Sequence, residues 1–124
     1  MEFRRAEWDR PETFDFLREH GIGYCCVDEP NLPGLLPPTA IATTDIAYVR
    51  FHGRNATTWW GGEGSLRYDY DYREGELREW VQKIRDLADR ARQTYVFFNN
   101  CHAGHAAQNA RLMKELLLRE KLPF

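Results

Sequence analysis

The stretch Ile46-Ala47-Tyr48-Val49-Arg50-Phe51-His52 decides how the chain is read. Its β-branched and aromatic residues suit a strand, and side chains two apart on a strand share a face. Ala47, Val49 and Phe51 form an apolar face fit to pack on helices, whereas Tyr48, Arg50 and His52 form a polar one. An open, flavodoxin-like sheet is the rival on element order alone. An Arg and a His on one strand face favour the interior or the C-terminal mouth of a closed barrel.

Upstream, Glu2–Glu7 reads as a short strand, and Asp9 as the N-cap of a helix with Pro11 and Glu12 in its first turn, running to about Glu19. His20-Gly21 is a helix stop, with His20 facing the helix dipole. Gly23–Asp28 is a mostly apolar run, as in a buried strand. Glu29–Asp45 holds four prolines and few periodic apolar positions, which predicts a long connection. Downstream, Trp59-Trp60-Gly61-Gly62 and Tyr68-Asp69-Tyr70-Asp71-Tyr72 lie in an aromatic, glycine-rich loop. Leu77, Trp80, Val81, Ile84, Leu87, Ala88 and Ala91 then trace one helical face. Thr94–Asn99 is another strand. A last helix spans about Gly104–Arg119, with Ala106, Ala110, Met113 and Leu117 on one side. Strands alternating with helices predict a parallel α/β sheet. Four such strands in 124 residues amount to about half of a ~250-residue (β/α)8 barrel of the TIM type. The chain is expected to form a single unit over residues 1–124.

A net charge of −2 gives no general electrostatic reason to expect nucleic acid or acidic lipid. No apolar run approaches the ~20 residues of a membrane span, and Met1-Glu2-Phe3-Arg4-Arg5 lacks the apolar stretch of a secretory signal. Three cysteines, an odd number with two adjacent, do not make a disulfide framework. A reduced, cytoplasmic protein is the expectation.

Polar residues at strand ends supply the candidate site, because barrel active sites sit at the C-terminal rim. Tyr24, Cys26 and Asp28 share one face of their strand, with Asp28 at its carboxyl end, and the last strand ends in Asn99-Asn100. His52 is the candidate general acid or base, and Asp28 is expected to orient or assist it. Arg4, Arg50 and Arg54 are candidate anion contacts, Asn99 and Asn100 hydrogen-bonding groups, and His105 a second choice. A purely structural alternative pairs Glu2 with Arg50, or Arg4 with Asp28, as buried ion pairs. Cys25 and Cys26 read as small core residues, and Cys101 as more exposed.

Glu2-Phe3-Arg4, Tyr48-Val49-Arg50-Phe51-His52-Gly53-Arg54-Asn55, Tyr68-Asp69-Tyr70 with Leu77-x-x-Trp80, and Phe97-Phe98-Asn99-Asn100 with Gly104-x-Ala106 and Asn109-Ala110 occur in order. Together they resemble the YecE-like family, domain of unknown function seventy-two, over essentially the whole chain. The resemblance implies a (β/α)8 barrel of about twice this length, of which these residues are the last four strands with their helices. It supplies no reaction. A start directly before Glu2-Phe3-Arg4 predicts a truncated product, an internal start or a split gene. Exposed sheet edges then predict a homodimer or a separately encoded N-terminal half barrel as partner.

Three functions fit these residues. The first is binding or hydrolysis of a phosphate-containing or other small anionic ligand, with the start of the last helix adding N–H donors. The second is a metal-dependent nucleic-acid hydrolase drawing ligands from Glu2, Asp28, His52, Cys101, His102 and His105. The third is a noncatalytic binding or assembly module using Trp59, Trp60, Tyr68, Tyr70 and Tyr72 as a stacking surface, or an inactive fragment. Cofactors and metal dependence are open, and so is enzymatic activity.

Overall fold

The computed structural model describes residues 1–61, 66–100 and 102–120. Three parallel strands, β1 (Cys25–Asp28), β2 (Ile46–Phe51) and β3 (Gln93–Phe98), form one sheet in the order β1-β2-β3. Helix α1 (Pro11–Glu19) precedes β1, α2 (Glu74–Arg90) connects β2 to β3, and α3 (His105–Arg119) follows β3. The fold is therefore mixed α/β. Among the described residues no helix is long and apolar enough to cross a membrane.

The register fixes which side chain faces where. Cys26 pairs with Val49 and Val49 with Val96, while Asp28 pairs with Phe51 and Phe51 with Phe98. Partners across a parallel ladder point to the same side, and this side packs on the helices. Its core holds Cys26, Ala47, Val49, Phe51, Leu77, Trp80, Ile84, Leu87, Met113 and Leu117. On the opposite face, Cys25, Tyr48 and Tyr95 form one row, and Val27, Arg50 and Phe97 the next. Tyr48, Tyr95 and Phe97 stack with centroids 5.6–6.4 Å apart, and Tyr95 and Phe97 remain 42% and 45% exposed. Those two exposures mark this face of β3 as uncovered.

Helix α2 follows the expected periodicity, burying Leu77, Trp80, Val81, Ile84 and Leu87. Its start is fixed by the Glu76 carboxylate, which accepts the Arg73 N–H at 2.9 Å, and Glu74 and Glu76 complement the helix dipole. The 29–45 connection is irregular, as its prolines predict. His20 Nδ1 donates to the Phe16 carbonyl at 2.8 Å at the end of α1.

The sequence expectations need four corrections. Glu2–Glu7 forms no strand: Met1 bonds to Gly23 and Cys25 at 2.6 and 2.8 Å, and the chain then leaves the sheet. Phe3 stacks on Trp8 at 5.3 Å, and a 3-10 turn begins at Ala6, whose N–H bonds to Gly34. The N-cap of α1 is Arg10, not Asp9, which closes that preceding turn. In α3 the buried stripe is Asn109, Met113, Leu116 and Leu117, with Ala110 exposed, because Asn109 is drawn inward by hydrogen bonds. Lastly, Tyr24, Cys26 and Asp28 do not share a face with Arg50: in the observed register Cys26 and Asp28 align with Val49 and Phe51.

Candidate functional site

One residue beyond each strand, the alternation continues. Glu29, His52 and Asn99 follow β1, β2 and β3 with the same parity as Arg50, and all four line a cleft of about 650 Å³. Parallel strands present their carboxyl ends together, so three successive strand ends contribute one polar group each. The N-terminal segment closes the near side with Glu2, Phe3, Arg4 and Arg5, and the aromatic loop closes the far side with Trp59, Trp60, Arg67 and Tyr68. Four arginines (Arg4, Arg5, Arg50, Arg67) face three glutamates (Glu2, Glu7, Glu29), so cationic groups outnumber anionic ones.

At the floor, Arg50 Nη1 donates to Glu2 Oε1 at 2.7 Å, and His52 Nε2 lies 3.5 Å from Glu2 Oε2. The His52 hydrogen bond, reinforced by the charges of His52 and Arg50, outweighs desolvation and lowers the Glu2 carboxyl to about 2. Glu2 is thus a fixed anion at neutral pH. His52 is buried, and its Nδ1 has no hydrogen-bond partner among the described residues. A buried imidazole with one nitrogen on a carboxylate and the other unpaired has the composition of a proton-transfer group. Glu29 sits beside it, its carboxyl raised above the usual range mainly by burial.

Asp28 lies on the other side of the sheet. Its carboxylate is 1% exposed and accepts from Arg54 Nε and Nη2 at 2.8 and 2.7 Å, from the Tyr72 hydroxyl at 2.8 Å and from Trp80 Nε1 at 2.7 Å. Those four donors occupy it fully, and it touches His52 only through its backbone carbonyl, which accepts the His52 N–H at 2.9 Å. Arg54 is likewise held: the bidentate bond raises its already high pKa further, and its remaining nitrogen meets Glu76 and Glu79 at 3.4 and 3.5 Å. The expected Arg4–Asp28 pair is replaced by Arg54–Asp28, while the Glu2–Arg50 pair forms.

The other candidates divide in the same way. Arg4 is exposed and Asn99 half-buried at the cleft. Asn100 is fully buried below it, and its amide donates to the Tyr70 carbonyl and to Asn109 Oδ1, both at 2.7 Å. Asn109 in turn accepts the Tyr72 N–H and donates to Asp71, so the Asn100–Asn109 pair ties the aromatic loop to α3. His105 faces Asp69 and Asp71 at 3.8 and 3.7 Å, away from the cleft lining. Of the expected metal ligands, Glu2 and His52 meet at the cleft, while Asp28 and His105 lie elsewhere. No group of three or more His, Cys, Asp and Glu side chains able to hold a metal ion occurs among the described residues. Cys101 and the His102 side chain lie outside them. Cys25 and Cys26 are buried, and burial pushes their thiols up to about 12 and about 11, as befits core residues.

Glu29, Arg5 and Arg67 were not picked out from sequence. Parity puts Glu29 on the polar face only once the β1–β2 register is known, with Val27 beside Arg50; the residues of β1 alone do not give it.

A family model described as protein of unknown function DUF72 matches residues 1–123. The chain belongs to the DUF72 family. The UPF0759 protein YunF of Bacillus subtilis (strain 168), a curated relative, is 34% identical over 128 residues, covering 94% of this chain and 45% of its own length. Among solved structures, a DUF72 protein of Thermotoga maritima MSB8 (TM1631) is 53% identical with a TM-score of 0.89, covering 94% of this chain and 44% of its own. A DUF72 protein of Enterococcus faecalis V583 (EF0366) is 29% identical with a TM-score of 0.86, covering 99% and 47%. This DUF72 chain therefore spans less than half the length of these relatives.

Proposed function

We propose that the cleft binds a small anionic ligand at the carboxyl end of the sheet, with Arg50, Arg4 and Arg67 as anion contacts and His52 as the proton donor or acceptor. The observation that carries this is the convergence of Arg50, His52 and Asn99 from adjacent strand ends on a cleft whose arginines outnumber its carboxylates. Charge-assisted bonds from guanidinium suit phosphate and carboxylate groups. Glu2 holds Arg50 and His52 in place from one carboxylate. Asp28 and Arg54 support the floor from behind through their buried bond.

Titrating the chain with inorganic phosphate and pyrophosphate by calorimetry is the test. Saturable binding that weakens with added salt is expected, together with a loss of about tenfold or more in Arg50→Ala, the scale of one charge-assisted hydrogen bond. Absence of saturable binding by either anion overturns the proposal.

The fold that best accounts for this arrangement is the C-terminal half of a (β/α)8 barrel, comprising the single unit 1–124. Support comes from relatives more than twice as long, from β3 lying at the edge of the sheet, and from the exposed aromatic face of Tyr95 and Phe97. An uncovered edge with apolar side chains invites strand pairing, so the expected state is a homodimer or a complex with a separate N-terminal half. Size exclusion with light scattering checks this, and a monodisperse monomer at high concentration contradicts it.

A further inference from the structure

Trp60 is the most exposed of the large apolar side chains among the described residues, at 68%, and it lines the cleft. Its neighbour Trp59 is 6% exposed, so the loop has one inward and one outward indole. The outward one sits on a tied support. Arg67 Nε donates to the Trp59 carbonyl at 3.0 Å and its guanidinium covers the Trp59 ring at 5.3 Å. Tyr68 packs edge-on against Trp59 at 6.0 Å. The Thr58 hydroxyl donates to the Leu66 carbonyl at 2.8 Å, and the Asn55 amide to the Asp69 carbonyl at 2.9 Å. These contacts fix Trp59 and the residues on either side of the loop, and the Trp60 ring next to them is left exposed at the cleft. A flat π-face in contact with water at a polar cleft favours a flat partner.

We infer that the cleft takes a ligand in which a planar ring carries an anionic group, the ring stacking on Trp60 and the anion held by the arginines of the cleft. The inference rests on the anion-binding proposal above and adds the ring. Nucleotides are the chemical class that joins both features, whether free or as units of a single strand. A volume of about 650 Å³ lies within the range of small-molecule sites.

The probes are AMP, ribose 5-phosphate and adenosine, titrated by calorimetry and by tryptophan fluorescence. AMP is expected to bind roughly tenfold tighter than ribose 5-phosphate, the scale of one base stacked on an aromatic side chain. Trp60→Ala should bring AMP down to the ribose 5-phosphate level and leave ribose 5-phosphate unchanged, and Trp60→Phe should retain part of the difference. Arg4→Ala should weaken both phosphates and leave adenosine unaffected. Equal binding of AMP and ribose 5-phosphate, with a silent Trp60→Ala, overturns the ring and leaves the anion proposal standing. Failure of both phosphates to bind better than adenosine overturns the two together. A tetraadenylate binding tighter than AMP identifies a strand as the source of the ring, and one binding no tighter identifies a free nucleotide; both outcomes support the inference.

Discussion

Asp28→Ala is expected to cost about 3–5 kcal/mol of folding stability, the usual penalty for removing one partner of a buried ion pair. A domain has only ~5–15 kcal/mol in total, so the variant is expected to be largely unfolded at moderate urea. The reason lies in what the substitution leaves behind. Arg54 loses both bonds of its bidentate contact, the Tyr72 hydroxyl loses its 2.8 Å acceptor, and Trp80 Nε1 is left buried without its partner. Each stranded donor carries a desolvation penalty of ~1–3 kcal/mol. The same carboxylate also joins the end of β1, the loop after β2 and the middle of α2, so three elements loosen at once. Urea unfolding followed by far-ultraviolet circular dichroism is the measurement. Arg54→Ala should come close to Asp28→Ala, and the double variant should cost far less than their sum, since the two remove one interaction. A stable Asp28→Ala that loses only ligand binding contradicts this role and returns Asp28 to the site.

Gly53→Ala is expected to lose about 2–4 kcal/mol, from backbone strain and overpacking together. Gly53 has φ +96, a region costly for a residue with a Cβ, and a Cβ there meets Tyr70 Cβ at 2.8 Å. Its N–H donates to the Tyr72 hydroxyl at 2.8 Å, so any backbone shift that relieves the contact disturbs the Asp28 network as well. Gly34→Ala is the control, because Gly34 has φ +84 but nothing within 4 Å of an added Cβ. It should show only the conformational cost, about 1 kcal/mol. Thermal melts of both variants separate strain from collision, and equal losses at the two positions contradict the Tyr70 contact.

Much of the fold was legible in sequence because periodicity survives without tertiary information. The face of α2 is fixed by Leu77, Trp80, Ile84 and Leu87, and both faces of β2 by the split of Ala47, Val49 and Phe51 from Tyr48, Arg50 and His52. β1 carried no such signal. Cys25, Cys26 and Val27 are all apolar and all buried, so nothing in Gly23–Asp28 states which side faces the helices. Asp28, the one charged residue there, pointed to the wrong side because its partners, Arg54, Tyr72 and Trp80, come from 26, 44 and 52 residues away. The N-terminal segment misled for a related reason. Its alternation suits a strand, but Phe3 finds Trp8 and Tyr24, and Ala6 bonds to Gly34, which draws the chain off the sheet.

The alternation along β2 has a practical consequence for protein engineering. Substitutions at Ala47, Val49 or Phe51 test packing, whereas Arg50 and His52 line the cleft and are the positions at which the proposed anion binding is tested. Asn99 and Trp60 extend that second set onto separate segments, and neither contributes to the buried charge cluster around Asp28. A combinatorial library over Trp60 and Asn99 therefore varies cleft-lining side chains outside the Asp28 cluster, whereas a change at Arg50 also removes its 2.7 Å bond to Glu2.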